Sequence, residues 1–444
     1  MALESVRLAW KFPAGRRPRW LPLLVALCAG ASLAWASVHT RLESSTPAAD
    51  EVLSSAPEEI ELRFSGPVNG ALSSVFIVAS TGDSLRVSLS MPGADGRTLL
   101  GELPPLSEGE YLVRWRTVSA DGHPVEGEFG FTVAAAVAPG ESNREADSES
   151  QGGEVAPAGQ RDTLPQGPGA GRVLLAGLGL ACLLGFAGLL WYCGSLPFLG
   201  TRPIGGVVRG LGWAALFFLA GDLLGWVVNV APTGSGSGGI TAALGSAIGL
   251  TGLGRVLLVG LALATVRRNG RVAAGLALVA VVLGAFSGHS ATISPWITAP
   301  ANAIHLGAAS IWLGGLLLLA LVPGGDARES GTDQLGPVVR AVSSAALLSV
   351  VLIAASGMIQ SAVFVGGVEA FTGSTYGRGV LAKWGGLAAL IGFGAFHRLR
   401  VLPRLAESGD GRGLRRTVRV ETIVMLAVVM LAAWLARVSP PAWH

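Results

Sequence analysis

Arg172-Val173-Leu174-Leu175-Ala176-Gly177-Leu178-Gly179-Leu180-Ala181-Cys182-Leu183-Leu184-Gly185-Phe186-Ala187-Gly188-Leu189-Leu190-Trp191-Tyr192-Cys193 is the stretch that decides how this chain folds. After Arg172 it carries no charge, and its length matches the ~20 apolar residues a helix needs to cross a bilayer. Seven similar runs follow, at roughly 207–230, 250–266, 272–288, 302–322, 341–364, 379–396 and 419–437, of which the third and fourth spans are the shortest. Residues 171–444 are therefore expected to form an all-α polytopic transmembrane bundle of about eight helices. Composition agrees: of 444 residues, 50% are hydrophobic and only 14% charged. Soluble domains carry about 25% charge, so an ordinary soluble enzyme and extensive disorder are both excluded. The net charge of +3 is too small to point to a nucleic-acid partner; the partner of these runs is the lipid bilayer.

Upstream, the pattern changes. Residues 1–38 begin with Arg7, Lys11, Arg16, Arg17 and Arg19, followed by an apolar run to Ala36. This is the pattern of a signal peptide or signal anchor, and Ala34-Trp35-Ala36 offers a cleavage site. Residues 39–134 contain short alternating segments, among them 60–64, 75–78, 111–116 and 128–133, separated by turn clusters such as Ser65-Gly66-Pro67. That period-2 pattern predicts a small all-β sandwich. Residues 135–170 are rich in Gly, Pro, Ser, Glu and Gln without periodicity, as in a flexible linker.

Arginines set the expected orientation. They cluster after the first, third and seventh spans (Arg202 and Arg209; Arg267, Arg268 and Arg271; Arg398 to Arg419), while 231–249 and 289–301 hold no charge. The positive-inside rule places the arginine-rich loops in the cytoplasm and the β domain outside, in a multi-pass membrane protein.

Few residues can carry chemistry. Cys28, Cys182 and Cys193 lie in apolar runs, which excludes a disulfide framework or a Cys-x-x-Cys metal site. In the β domain, Asp121 and His123 stand two apart in Ser119-Ala120-Asp121-Gly122-His123. On a turn they can converge on one ion, and imidazole nitrogen with carboxylate oxygen suits Cu(II) or another borderline divalent ion. The same residues also read as a surface Asp-Gly turn with a solvated histidine. His39 opens the domain; as an N-terminal residue it would offer amine and imidazole together. The Ala34-Trp35-Ala36 site would instead leave Ser37 as the first residue.

Ionisable residues inside spans are costly and are functional candidates by default. His289 ends the fourth span and His305 opens the fifth, so both are expected at the outer face, where they could share an incoming ion. They also read as interfacial or packing residues. His397 falls where the seventh span meets the cytoplasm. Histidines at both faces suit the entry and exit of a route, although an interfacial role in an arginine-rich loop fits His397 as well. Asp222 reads as the single acidic residue well inside a span, with Arg255 or Lys383 as its expected partner, in an ion pair or in proton coupling. Trp226, Trp312 and Trp384 read as packing or interfacial residues.

The segments His39 to Ala48, Ala56 to Ser65 and Gly109 to Gly127, above all Ser119 to His123, resemble the CopC family of periplasmic copper-binding proteins. The resemblance implies a cupredoxin-like β-sandwich with a Cu(II) site at His39, Asp121 and His123. The methionine-built Cu(I) site of some members is not expected, since 39–134 contains only Met91. Residues 172–437 resemble the CopD family of copper-resistance membrane proteins, through Gly288-His289, His305 with Ile311 to Gly315, Ser356-Gly357 and Thr375 to Lys383.

Together these readings describe a fusion that captures Cu(II) outside the membrane and passes copper to a membrane domain, for import or for copper homeostasis and resistance. Copper is its expected cofactor and cargo, and other periplasmic copper carriers its expected protein partners. The linker would act as a tether, spanning roughly 30–36 Å and keeping the ion concentrated above the membrane entrance. No Walker sequence and no ATPase Asp-Lys-Thr-Gly-Thr is present, so transport is expected to be passive or gradient-coupled; an enzyme is not expected. Two alternatives stay open: a haem-containing cupric reductase with His289 and His305 as axial ligands, and a membrane-anchored copper buffer or sensor.

Overall fold

The computed structural model describes residues 40–80, 82–90, 96–119, 122, 124–134, 170–196, 204–231, 238–321, 335–401, 412–438 and 440. The signal segment expected at 1–38 and nearly all of the linker expected at 135–170 lie outside these residues.

The N-terminal part is built from eight strands: β1 (Leu42–Thr46), β2 (Glu51–Leu53), β3 (Glu59–Phe64), β4 (Ser74–Ala79), β5 (Ser84–Ser90), β6 (Thr98–Glu102), β7 (Gly109–Val118) and β8 (Pro124–Val133). They pair in one continuous order, β1-β3-β6-β5-β4-β7-β8-β2. All neighbours are antiparallel except β2 and β8. The sheet curls over itself, and alternate residues point inward as the period-2 pattern requires. Ile60, Leu62 and Phe64 of β3 meet Val113 and Trp115 of β7 and Phe129 and Phe131 of β8 in one core. Phe64 and Trp115 pack edge to face with centroids 5.3 Å apart, an arrangement worth ~0.5–1.5 kcal/mol beyond burial.

Eleven helices follow among the described residues: α1 (Ala170–Ser195), α2 (Gly205–Val230), α3 (Gly238–Gly245), α4 (Ala247–Thr265), α5 (Gly270–Leu283), α6 (His289–Thr292), α7 (Pro295–Leu321), α8 (Leu335–Val365), α9 (Val368–Gly373), α10 (Thr375–Phe396) and α11 (Arg412–Leu435). Seven of them, α1, α2, α4, α7, α8, α10 and α11, are long and apolar enough to cross a membrane, and Gly270–Phe286 is a shorter apolar helix. The fourth expected span is therefore present but short. Large apolar side chains such as Trp213, Phe217, Leu224 and Val228 of α2 face outward, as lipid contact demands.

Helix α1 is central and packs against α2, α5, α7 and α11. It comes close to α7, where Gly188 meets Ser310 and Gly314 backbone to backbone, and Ser310 Oγ donates to the Leu184 carbonyl at 3.0 Å. Small residues at a crossing bring two membrane helices near enough for such bonds.

Several helix starts depart from the sequence reading. The uncharged stretch 231–249 contains α3, and the Ser246 hydroxyl caps α4 by accepting from Gly249 N–H at 3.1 Å. Helix α7 begins at Pro295 instead of near 302. Helix α11 begins at Arg412 instead of 419.

Candidate functional site

The three residues expected to bind Cu(II), His39, Asp121 and His123, lie outside the described residues. Their chain neighbours are well defined. Strands β7 and β8 form a hairpin in which Val118 pairs with Pro124, so Asp121 and His123 belong in sequence to its connecting turn. Ser119 bridges Val68, and the next residue back, Pro67, accepts a 3.4 Å hydrogen bond on its carbonyl from Thr40 Oγ1. Thr40 adjoins His39. Residues flanking the expected ligands, about eighty positions apart in sequence, thus meet at one end of the curled sheet.

That end rests on the helices. Leu72 and Val118 of the sheet share a buried apolar cluster with Trp226, Val227 and Val230 of α2 and Ala243 of α3, and Ile248 of α4 packs against it. Gly122, between Asp121 and His123, accepts a hydrogen bond from Trp226 Nε1 at 3.3 Å. Its φ of +82° suits only glycine, and a Cβ there would overlap Ile248. Arg116 reaches the Asn229 carbonyl at 3.4 Å. Trp226, read from sequence as a packing or interfacial residue, also donates a hydrogen bond to Gly122.

The sheet contacts the C-terminal end of α2 and the start of α4. By helix direction, this is the end of the bundle opposite the arginines that follow α4 and α10.

His289 opens α6, is buried, and its Nε2 lies 3.2 Å from the Val438 carbonyl, just beyond α11. His305 is not at the start of its helix as the expected span implied. With α7 beginning at Pro295, it lies ~15 Å along the axis, and its Nδ1 is 3.0 Å from Ser356 Oγ of α8. Lys383 of α10 is within electrostatic reach of His305. The two histidines are thus tied to different elements. Among the described residues no group of three or more His, Cys, Asp or Glu side chains is placed to hold a metal ion.

Asp222 was expected to pair with Arg255 or Lys383. Its hydrogen-bonded partner is Arg437, at 2.5 Å. Arg255 and Arg172 are in electrostatic reach of Asp222, while Lys383 stands with His305. Chain direction explains the outcome: α2 and α11 both end on the sheet side, so Asp222 near the end of α2 meets the residue that follows α11.

The sequence reading passed over one group, Glu421, and took Asp222 as the single acidic residue well inside a span. Because α11 starts at Arg412, Glu421 lies ~14 Å along it and is 2% exposed. Its Oε1 accepts from Trp312 Nε1 of α7 at 3.3 Å, and its Oε2 is 3.1 Å from His397 Nδ1. His397 Nε2 lies 2.6 Å from Thr417 Oγ1. The i, i+4 spacing of Thr417 and Glu421 was the available signal: it sets both on one helical face.

Two families match the chain, a CopC domain over residues 42–134 and Copper resistance protein D over residues 337–435. The second match spans α8 to α11, including His397 and Glu421, and is shorter than the 172–437 of the sequence resemblance. Copper transport protein CutJ of Bacillus subtilis (strain 168) is 26% identical over 452 residues, covering 95% of this chain and 78% of its own. Copper resistance protein C of Escherichia coli is 36% identical over 107 residues, covering 22% of this chain and 83% of its own. The crystal structure of CopC from Methylosinus trichosporium OB3b shares 35% identity, covers 22% of this chain and 98% of that chain, and has a TM-score of 0.22. Two matched families in separate stretches, and one relative that runs along nearly the whole length, give a single conclusion: the chain belongs to the CopC and CopD copper-resistance families, as a fusion of a CopC domain with a CopD-type membrane domain.

Proposed function

We propose that this protein captures Cu(II) at His39, Asp121 and His123 and passes copper into the helical bundle, for import or for copper homeostasis. One observation carries the reading: Gly122, which lies between Asp121 and His123 in sequence, is held against the bundle by Trp226. Copper released from the β7–β8 turn enters next to α2, α3 and α4 without diffusing along a tether. The convergence of Thr40, Ser119 and Gly122 at one end of the sheet supports a shared three-residue site. The arginine-rich ends then face the cytoplasm, and the sheet lies on the extracytoplasmic side of the inner membrane.

Within the bundle, His289 and His305 are the candidate acceptors on the sheet side. Their attachment to different elements favours successive contacts with the ion over a joint axial ligation of haem. Asp222 acts as counter-ion to Arg437, Arg255 and Arg172, so it holds the helix ends together.

The test uses the full-length chain with Cu(II) as the probe. EPR should show a tetragonal Cu(II) signal that His123→Ala abolishes; a signal unchanged in that variant sinks the capture site. Copper accumulation in cells separates docking from tethering. Trp226→Phe should keep Cu(II) binding but lower accumulation, and wild-type accumulation would leave the linker as the sufficient device.

A further inference from the structure

We propose that His397 and Glu421 form a second metal site, at the end of the bundle remote from the sheet, for a borderline divalent transition-metal ion of the Cu(II) class. The tautomer of His397 follows from where the Thr417 hydroxyl proton goes. We assign the Thr417 hydroxyl proton to the Leu414 carbonyl, 3.0 Å away, so that Oγ1 accepts from His397 Nε2–H at 2.6 Å. Nε2 therefore carries the ring proton. In the neutral imidazole, Nδ1 is then a lone-pair atom, 3.1 Å from the carboxylate oxygen Oε2 of Glu421. Oε2 is buried and makes no hydrogen bond among the described residues. Two acceptors facing each other in an apolar interior repel unless a cation sits between them.

The geometry suits a metal ion as that cation. Ligand bonds of ~2.0–2.2 Å to nitrogen and oxygen put two adjacent ligands ~3 Å apart, close to the separation found. Imidazole with carboxylate is a donor set for borderline divalent ions. The partners behind the donors are those a ligating pair needs: Nε2–H is held by Thr417, and Oε1 of Glu421 by Trp312. Leu414 and Val418, on either side of Thr417 in the helix, are buried. Two protein ligands leave positions for water, so the site binds weakly enough to release its ion, as a point of passage must. The site stands apart from the outer one and does not require it.

The experiment takes the full-length chain in lipid nanodiscs, in a His39→Ala/His123→Ala background that removes the outer ligands, with Cu(II) alone as the probe. Bound copper is counted after equilibrium dialysis and the coordinating nitrogen is read by pulsed EPR. Glu421→Gln and His397→Gln should each bind one equivalent fewer than the background protein, and the imidazole coupling should vanish in His397→Gln. Thr417→Val leaves both donors in place and should weaken that equivalent about 10–100-fold. It decides the matter where a donor variant loses its native elution and circular dichroism. Equal stoichiometry in all variants overturns the proposal and leaves a proton on Nδ1 as the cation, in a buried ion pair. Because the outer ligands are already absent, failure of the capture site and failure of this site are read separately.

Discussion

Trp226 Nε1 of α2 donates to the Gly122 carbonyl of the β7–β8 turn across 3.3 Å, and that bond joins the sheet to the bundle beside the expected copper ligands. Gly122 is constrained twice, by its φ of +82° and by the side chain of Ile248.

Gly122→Ala should therefore loosen the docked sheet for two separable reasons. The positive φ costs a non-glycine residue roughly 1–3 kcal/mol, and the overlap with Ile248 adds to it. Gly122→Ala/Ile248→Ala should recover the steric part only. Thermal unfolding with limited proteolysis of the sheet reads both, and full recovery in the double variant would mean that backbone strain contributes nothing.

Asp222 is a hydrogen-bonded counter-charge of Arg437, with Arg172 and Arg255 in electrostatic reach. Asp222→Asn should lower stability by roughly 1–3 kcal/mol, between the limits for exposed and buried pairs. Arg437→Met in the same chain should restore part of that loss. A double-mutant cycle by thermal midpoint gives the coupling, and a value of zero shows the pair to be incidental.

The crossing of α1 and α7 has no room at Gly188, whose Cβ would strike the Ser310 carbonyl. Gly188→Val should cost at least about 1–3 kcal/mol and reduce the yield of folded protein in detergent. Gly210 has open space around it, so Gly210→Ala should be neutral or stabilising by up to about 1 kcal/mol. Equal behaviour of the two variants in gel filtration would contradict the close crossing.

Trp312 supplies the donor to a carboxylate that is 2% exposed. Trp312→Phe keeps most of the apolar volume and removes that donor. It should destabilise the chain by about 1–3 kcal/mol, the cost of stranding a buried acceptor. In a Glu421→Leu background the same substitution should cost less, and urea unfolding of the four proteins measures the difference.

The sequence by itself determined the architecture. A run such as 173–193, apolar and uncharged, has to leave water, and alternation such as Ile60, Leu62, Phe64 has to bury one face of a strand. These rules act on neighbours in the chain, so spans and strands were legible, as was the Ser119 to His123 segment that carries the CopC resemblance. Helix ends were less so: the helices that begin at Pro295 and Arg412 start earlier than the apolar runs suggest, and this moved His305 inward and brought Glu421 into the bundle. What only the tertiary structure decided is which side chains meet. Arg437 finds Asp222 across 215 positions and Trp226 finds Gly122 across 104. Periodicity along one helix says which face is buried, but not which residue of another helix it is buried against. That choice is made by packing and by the need of each buried polar group for a partner, and both are properties of the assembled bundle.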